Sequence, residues 1–368
     1  MDNCTNCYLN LNLSKLSDTH EQLNSRISII IVNLMFLLLG LIFNLTLFNY
    51  YICKKKLMTV TEEQIVSLAI SDMLYIMIGS GIQLLIAFVT INNQLPIFLY
   101  DSIACRLLAA IQASLAKVNV YTMTLISVTR YAVIVKPIKY QPYLKPRYNR
   151  IVLAIIFTLS FGLSILPVFQ LWGKYQYSNQ TGLCFPLSTA ENDPAVVSYE
   201  VTMDLTFILI PSVIMFFSYF KIILLLRLSR RQITSYHNNS TKSINASNST
   251  NTLSATSSIA KVVSFTLQSR LSFHRKNSVS FRSSIRQLEY RLTKTIMLAF
   301  IVFLISYFPH SISCTLALFG ITISSTTSTI LLHLTYVNGI LGPLIYITRS
   351  ARVRQSLRCN RRIIHVAH

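Results

Sequence analysis

The stretch VYTMTLISVTRYAVIVKPIKY, Val120–Tyr140, decides the fold, because it is apolar enough to be buried and yet carries an arginine. Arg130 lies between Thr129 and Tyr131, and the chain turns basic and proline-broken a few residues later. A buried arginine without a partner is costly, so this side chain must lie at a boundary, have a partner, or both. The rest of the sequence has to distinguish these alternatives.

The composition indicates a membrane protein. Hydrophobic residues make up 52% of the chain and charged residues 12%, whereas a soluble domain carries about 25% charged residues. A net charge of +21 on a soluble surface would favour nucleic-acid binding. Here the basic residues lie in the gaps between long apolar runs, so the expected partner is the lipid bilayer and no nucleic acid is expected.

Seven apolar segments have the length of about 20 residues that a helix needs to cross the hydrocarbon core. No water is available there to satisfy backbone groups, so the segments are predicted to be helices and the fold class to be an all-α, seven-transmembrane helix bundle. No signal peptide precedes them, so the first span is expected to direct insertion. The predicted spans one to seven are Ile27–Ile52, Gln64–Val89, Leu107–Val135, Ile151–Leu171, Val197–Leu226, Leu292–Leu318 and Thr326–Ile347.

The basic residues predict that the N-terminus is outside and the C-terminus inside. In that topology the outer segments hold only Lys15, Arg26, Arg106 and Lys174, and Lys117 alone lies deep inside a span. The expected location is the plasma membrane. The predicted divisions are an extracellular tail (1–26), spans one to five (27–226), a third cytoplasmic loop with a disordered Ser/Thr/Asn-rich middle (227–290), spans six and seven (291–347), and a short amphipathic helix with a cytoplasmic tail (348–368).

Cysteines and sequons follow this topology. Cys105 at the outer mouth of span three and Cys184 in the loop between spans four and five both lie in an oxidising compartment, which predicts a disulfide between them. Cys4 and Cys7 are left open between pairing with each other and staying free. The predicted modifications are glycosylation at Asn3, Asn12 and Asn179, phosphorylation in a basic context at Ser278 and Ser283, and palmitoylation at Cys359.

The position of Arg130 follows from its distance to Cys105. A helix rises about 1.5 Å per residue, so the segment between them is about 37 Å long. That length places Cys105 at the outer surface and Arg130 at the cytoplasmic boundary. The arginine is therefore predicted to lie where the span leaves the membrane.

With these features in place, the sequence resembles the rhodopsin family (class A) of G-protein-coupled receptors. Any one motif is weak, but the landmarks occur in order, roughly one per span, and cover nearly all of the chain outside the termini and the third cytoplasmic loop. They are Asn44 in LIFNLTL, Asp72 in SLAISDM, Arg130 with Tyr131, Pro137 in VKPIKY, Pro211 with Tyr219, Phe303 and Pro309 around FLISYFP, and Pro343 and Tyr346 in GPLIY.

Four positions depart from the family pattern. Thr129 replaces the acid that normally precedes the arginine, Phe157 replaces the tryptophan of span four, and Tyr307 replaces the tryptophan of span six. Gly342 replaces the asparagine of span seven. This last change removes a polar partner from the cluster around Asp72 and argues against the sodium ion that many relatives hold there, although Asn119 and Asn338 remain as neighbours.

The resemblance also implies a switch at the inner ends of the spans. Glu289 in span six is expected to pair with Arg130 and to hold spans three and six together in the resting state; solvated surface charges are the alternative. The residues that the resemblance assigns to G-protein coupling are Thr129, Arg130, Tyr131, Tyr219, Glu289 and Tyr346.

The ligand pocket is also placed by resemblance. Gln112 lies where amine receptors have an aspartate, which argues against a simple amine, and Tyr336 lies where opsins carry their retinal lysine, which argues against retinal. Lys117 is predicted to pair with Asp204, with Glu200 one turn above Asp204 on the same face. Ordinary helix packing is the alternative role for each uncharged candidate. The candidates are Gln112, Lys117, Met203, Asp204, Tyr307, His310, Ser311 and Tyr336.

The resemblance thus implies a receptor that binds an extracellular ligand, a peptide or a small polar or anionic molecule, and activates a heterotrimeric G protein. Arrestin and receptor kinases are further expected partners, and no cofactor or metal is expected. The alternative is a transporter or channel, against which stand the odd number of spans and the lack of inverted repeats. An enzyme would need facing catalytic residues, and His310 and His333 are isolated in the sequence.

Overall fold

The computed structural model describes residues 2–52, 58–91, 102–178, 183–186, 193–247, 293–317, 319–321, 323–349 and 353, with the backbone alone for residues 2–25 and 229–247. Among these residues, seven helices are long and apolar enough to cross a membrane, which confirms the all-α seven-helix bundle. The segments that span the membrane, named here spans one to seven, are Arg26–Ile52, Val60–Val89, Ile103–Val135, Pro146–Phe169, Pro194–Leu228, Thr293–Ala317 and Thr326–Arg349.

Several helices extend beyond the spans or change type within them. The shorter elements are a helical turn at Pro137–Tyr140 and a 3-10 turn at Gln141–Tyr143 after span three, and a 3-10 turn at Leu166–Phe169 that ends span four. The longer helices run over Asp2–Ile52, Val60–Ile91, Ile103–Val135, Pro146–Ile165, Thr293–Ala317 and Ser325–Arg349, and span five contains the two helices Pro194–Asp204 and Ile210–Ser247.

Two helices extend beyond the membrane-spanning segments. The first helix begins at Asp2, so the polar tail 1–26 is largely helical, and the helix of span five continues to Ser247 into the loop 227–290 that was predicted to have a disordered middle. Apolar content predicts only where a chain enters hydrocarbon, and a helix does not have to end at that surface. Residues 248–292 and the amphipathic helix predicted after span seven lie outside the described residues, apart from the buried Val353.

Local capping explains where two spans begin at the end of the bundle that carries Cys105, which is named here the outer end, the opposite end being the inner end. The side chain of Ser102 accepts a hydrogen bond from the backbone N–H of Cys105 at 3.2 Å, which caps span three. Asp193 accepts from the N–H of Ala195 at 2.9 Å and is followed by Pro194 at the first helical position of span five. Proline there costs no hydrogen bond because the first N–H groups of a helix have no internal partner.

Span five is irregular in its middle. Residues Leu205–Leu209 form a π-helical turn between Asp204 and Pro211. Pro211 has no N–H to donate to the carbonyl one turn earlier, which weakens the regular helical ladder at this point. A π-helical turn contains an extra residue, so it changes the direction in which the residues before it point.

The core of the bundle is apolar, and so is much of its outside. Leu47, Met123, Met215, Ile222 and Phe303 are buried in the largest cluster, which lies between the spans. Large apolar side chains on the outer faces of the spans are exposed, among them Met35, Ile42, Leu159, Phe216 and Ile305. An exposed apolar surface of this extent suits contact with lipid.

A two-stranded hairpin covers the outer end of the bundle. Strand β1, Tyr175–Ser178, pairs antiparallel with strand β2, Leu183–Pro186, with Tyr177 opposite Cys184. Cys184 forms the predicted disulfide with Cys105, with the two Cα atoms 5.6 Å apart. The hydroxyl of Tyr175 also donates to the carbonyl of Ser164 at 3.0 Å, so the hairpin is attached to both span three and span four.

We expect Cys105→Ser and Cys184→Ser each to lower surface expression, with a stability cost of about 2–5 kcal/mol, the usual cost of removing a disulfide. The double variant should be no worse than either single variant, since both remove the same bond. Surface labelling and the thermal midpoint of purified protein measure these effects. Two free thiols at these positions in mass spectra of unreduced protein would contradict the pairing.

Candidate functional site

Lys117 lies in span three and is 8% exposed. Its ammonium Nζ donates to the hydroxyl of Ser164 at the outer end of span four, at 2.7 Å. The same atom lies 5.9 Å from the ring centroid of Tyr199 and 5.2 Å from that of Phe207, both in span five. A hydroxyl and two aromatic faces therefore surround this charge at the junction of spans three, four and five.

Asp204 binds span six and not Lys117. Its Oδ1 accepts from the hydroxyl of Ser311 at 2.8 Å and its Oδ2 accepts from that of Thr315 at 2.6 Å. The predicted Lys117–Asp204 pair is therefore wrong. The prediction counted residues from Pro211 along a regular helix, whereas the π-helical turn lies between Pro211 and Asp204 and changes the direction of the carboxylate.

Ser311 was predicted as a pocket residue, and Thr315 was missed. The two hydroxyls are four residues apart, one turn along span six, and form a pair of donors on the same face. That spacing of two hydroxyl residues in an apolar helix is a signal that the sequence contains. Together with Asp204 they join spans five and six in the outer half of the bundle.

Glu200 lies one turn above Asp204 and has a different environment. Its Oε1 is buried and accepts no hydrogen bond from the residues that the structure describes. Lys117 is the cation that interacts with this carboxylate electrostatically, but no ion pair joins them. The sequence placed Glu200 on the face of Asp204 without assigning it to the pocket.

The predicted pocket residues Gln112 and Tyr336 bind each other. The side-chain amide of Gln112 donates to the hydroxyl of Tyr336 at 3.1 Å, and Tyr336 is fully buried. A Cβ atom on Gly79 of span two would overlap the Tyr336 hydroxyl and would lie 2.6 Å from the amide nitrogen of Gln112, so glycine permits this close approach. The contact closes the side of the bundle formed by spans two, three and seven.

The remaining pocket candidates lie near these two groups. Met203 packs with Tyr199 and Phe207, and the Nε2 of His310 lies 3.9 Å from the sulfur of Cys314. Tyr307 is buried, with its ring 5.0 Å from that of Phe303. The structure therefore brings Lys117 and Met203 to the junction of spans three, four and five, and Asp204 and Ser311 to that of spans five and six.

A line of aromatic rings continues from Tyr307 towards the inner side. Ring centroids are 6.4 Å apart for Phe303 and Phe300, and 5.5 Å apart for Phe300 and Tyr219. The hydroxyl of Tyr219 is 2.7 Å from that of Ser127, which lies less than one turn before Arg130. Packed aromatic side chains thus connect the outer half of span six with the inner half of span three.

Asp72 is buried beside two glycines of span seven. A Cβ on Gly339 would lie 3.5 Å from its Oδ1 and a Cβ on Gly342 would lie 4.0 Å from its Oδ2. Asn119 of span three accepts a hydrogen bond from Ser71, and within the described part of the chain the Oδ1 of Asp72 accepts none. Gly342 adds no side-chain oxygen to this group.

A hydrogen-bonded network surrounds the residue that replaces the family acid. The amide of Gln64, fully buried in span two, donates to the hydroxyl of Thr129 at 3.0 Å and to the side-chain oxygen of Asn149 at 2.8 Å. Asn149 in turn donates to Glu63 at 2.9 Å, and Arg150 binds the other oxygen of Glu63 through two N–H groups at 2.7 and 2.9 Å. The inner ends of spans two, three and four are joined in this way.

Sequence reasoning missed Gln64 and Asn149. A glutamine at the inner end of an apolar span is a weak signal, because such residues often face the interface with water. Arg130, adjacent to this network, is 6% exposed. The side chains of Asn3 and Asn12, together with Asn179, Ser278, Ser283, Glu289 and Cys359, lie outside the described residues, so their predicted roles stay predictions.

A bundle of seven membrane-length helices, with a disulfide-bound hairpin on one side and a buried arginine at the other end of span three, defines a seven-transmembrane receptor. Residues 43–346 match the family "7 transmembrane receptor (rhodopsin family)". The chain belongs to this family of receptors, as the sequence motifs predicted.

Similarity to individual relatives is low. The chain is 26% identical over 323 residues to "Rhodopsin, GQ-coupled" of Mizuhopecten yessoensis, covering 87% of this chain and 56% of that protein. It is 24% identical over 335 residues to melanopsin of Podarcis siculus, covering 89% and 61%. The galanin-like G-protein coupled receptor npr-9 of Caenorhabditis elegans is 26% identical over 200 residues, covering 52% and 44%. The chain thus spans about 44–61% of the length of these relatives.

A solved structure supports the fold. The crystal structure of squid rhodopsin superimposes with a TM-score of 0.73 at 19% sequence identity, covering 93% of this chain and 87% of that one. At this identity the similarity defines the arrangement of the helices and not the ligand.

The network around Thr129 predicts a specific loss of stability. Thr129→Val keeps the shape of the side chain but removes the acceptor of Gln64, so it should cost about 1 kcal/mol, whereas Thr129→Ser keeps the hydroxyl and should cost less. Thermal unfolding of the purified variants in lipid nanodiscs measures the difference.

A double-mutant cycle tests whether the two residues act together. Gln64→Leu combined with Thr129→Val should cost less than the two single changes added, since either change alone breaks the shared hydrogen bond. Strict additivity, or equal midpoints for the Val and Ser variants, would contradict the role of this bond.

Proposed function

We propose that this chain is a receptor of the plasma membrane that binds an extracellular ligand between spans three, five and six and activates a heterotrimeric G protein at the inner ends of the spans. Family membership supports the class of activity. The observation that carries the proposal is the series of packed aromatic rings from Tyr307 to Tyr219, which ends at the hydroxyl of Ser127. Its first ring lies one helical turn from Ser311, which binds Asp204.

The proposed mechanism is a shift between two conformations. A ligand that binds one arrangement of spans five and six more tightly than the other shifts the population by that difference in affinity. The hydrogen bonds of Asp204 hold the outer halves of these spans together, so a group that competes for them changes their relative position. The aromatic rings between Tyr307 and Tyr219 transmit this change to the region of Arg130.

The inner switch is proposed from the resemblance. Arg130, Tyr131, Tyr219 and Tyr346 contact or approach the G protein, and Glu289 holds Arg130 in the resting state. Thr129 supplies no charge, and its hydroxyl instead accepts from Gln64. The network of spans two, three and four therefore provides a fixed side against which span six moves.

Other predicted features complete the proposal. The N-terminus is extracellular, with glycosylation at Asn3, Asn12 and Asn179, and the third cytoplasmic loop carries phosphorylation at Ser278 and Ser283 for arrestin and receptor kinases. The basic segment after span seven forms an amphipathic helix on the inner leaflet, with palmitoylation at Cys359. Each of these features is proposed from the sequence and its motifs.

Photoreception is a second candidate function, because a rhodopsin and a melanopsin are among the similar proteins. The observation against photoreception concerns a single position in span seven. Tyr336 occupies the position of the opsin lysine, is fully buried and is hydrogen-bonded to Gln112, so no amine is present there for a Schiff base. A chemically activated receptor is the better-supported function.

The first test is a screen of peptides and small polar molecules for G-protein recruitment in cells that express the chain. An agonist should raise recruitment, and Arg130→Ala should reduce this response by about tenfold or more, the effect of losing one charge-assisted contact, while leaving agonist binding intact. Asp204→Asn should instead alter the agonist concentration that gives half the response. A variant Arg130→Ala that signals like the wild type would contradict the proposed coupling.

The second test addresses retinal. Incubation with retinal followed by borohydride reduction should leave no lysine of the chain modified, because span seven has no lysine at the required position. Mass spectrometry of the peptides measures this, with an opsin as the positive control. A retinyl group on any lysine, including Lys117, would overturn the assignment to chemical ligands.

A further inference from the structure

We propose that the ligand is amphoteric: a cationic group of the ligand binds the carboxylate of Glu200 in span five, and an anionic or acceptor group of the same ligand binds the ammonium of Lys117 in span three. This inference rests on the proposed function, because it assumes that the outer half of the bundle receives an extracellular ligand. The chemical class of that ligand is inferred from groups that have no partner, or too few, among the described residues.

Lys117 supplies the donor half of the site. An ammonium has three N–H donors, and within the described residues its only hydrogen bond goes to Ser164. The rings of Tyr199 and Phe207 stabilise the positive charge but accept no strong hydrogen bond. Since Asp204 binds span six instead, Lys117 retains donors for a further acceptor.

Glu200 supplies the acceptor half. The two carboxylates of span five are one turn apart, but Asp204 has a hydroxyl donor on each oxygen while the buried Oε1 of Glu200 has none among the described residues. A buried carboxylate without a donor is costly in an apolar surrounding. This atom therefore marks a position where an ammonium or guanidinium group would be stabilised.

The charges of Lys117 and Glu200 indicate a ligand that carries both a positive and a negative group. Lys117 and Glu200 interact electrostatically, yet they form no ion pair with each other. A molecule with one cationic and one anionic group would supply a partner to each. A ligand with only a cation would leave Lys117 without its second partner and would gain less.

The other side of the bundle explains why the site lies here. Gln112 and Tyr336 are hydrogen-bonded to each other beside Gly79, so these two predicted pocket residues already have a partner. Among the charged side chains described at the junction of spans three, four and five, Lys117 and Glu200 have hydrogen-bonding capacity left over. The cation is therefore bound by span five and not by the span-three position at which amine receptors have their aspartate.

A water molecule that bridges Lys117 and Glu200 is the alternative occupant, and Cys314 of span six allows the two cases to be distinguished. This cysteine is partly buried and lies within electrostatic range of both Glu200 and Asp204. If the two charges form a ligand site, small molecules reach the sulfur of Cys314 from outside and experience a negative potential there. If a water molecule bridges a sealed pair, the reagents do not reach this sulfur.

The experiment measures the rates at which two methanethiosulfonate reagents modify Cys314 in the full-length receptor on intact cells. One reagent carries a trimethylammonium group and the other a sulfonate group of similar size. The peptide that contains Cys314 is quantified by mass spectrometry, with Cys314→Ser as the control for other thiols. Both reagents react with the thiolate form of cysteine. Dividing the ratio of the two rates at Cys314 by the same ratio for free cysteine therefore removes the dependence on the fraction of thiolate.

We expect this normalised ratio to favour the cationic reagent in the wild type, because Glu200 and Asp204 both lie within electrostatic range of this sulfur. Glu200→Gln should lower the ratio, and Lys117→Met should raise it, because the two residues contribute opposite charges. Val201→Ile, an uncharged change on the exposed face of span five, is the control and should leave the ratio unchanged.

Three results would overturn the proposal: no labelling of Cys314 by either reagent, preference for the sulfonate reagent, or a ratio that Glu200→Gln and Lys117→Met leave unchanged. The wild-type ratio is informative even if a variant fails to reach the surface. Labelling requires neither an agonist nor a G protein. A receptor that does not couple to a G protein would still give this result, so a failure of the proposed function can be distinguished from a failure of this inference.

Discussion

Hydrocarbon offers no hydrogen-bond partner, and this constraint determines both the helices and the contacts between them. Backbone groups are satisfied within each span, so only side chains remain to join one span to the next. Several polar side chains inside the bundle accordingly occur in hydrogen-bonded groups: Gln64 with Thr129 and Asn149, Asp204 with Ser311 and Thr315, and Gln112 with Tyr336. Each group joins two or three spans, and together they fix the rotation of the helices that apolar packing alone leaves free.

The two ends of the bundle differ in how these contacts are arranged. At the inner end, spans two, three and four are held by a network that includes an ion pair between Glu63 and Arg150, the latter 71% exposed. An exposed ion pair adds little stability by itself, so the buried hydrogen bonds of Gln64 are the stronger part of the network. At the outer end, the buried Oε1 of Glu200 has no hydrogen-bond donor among the described residues, and this is the atom to which the proposal assigns a cationic group of the ligand.

The sequence was sufficient to predict the number of spans, their approximate bounds and the Cys105–Cys184 disulfide, because these depend on length, apolar content and compartment. It was not sufficient to predict which side chains meet. Consecutive residues of a helix differ in direction by about 100°, so a single extra residue in a turn changes the partner. The π-helical turn Leu205–Leu209 directs Asp204 to span six, and the partner of Thr129 is a glutamine whose burial depends on how span two is rotated.

Thr129 has a consequence for the response of the receptor to pH. In relatives with a carboxylate at this position, protonation of that group changes the charge beside the arginine, and the conformational equilibrium is then linked to the proton concentration. A threonine hydroxyl stays neutral throughout the physiological range. In this network the carboxylate is that of Glu63, which is separated from Thr129 by the side chains of Asn149 and Gln64. The side chain that precedes Arg130 therefore keeps the same charge throughout this range.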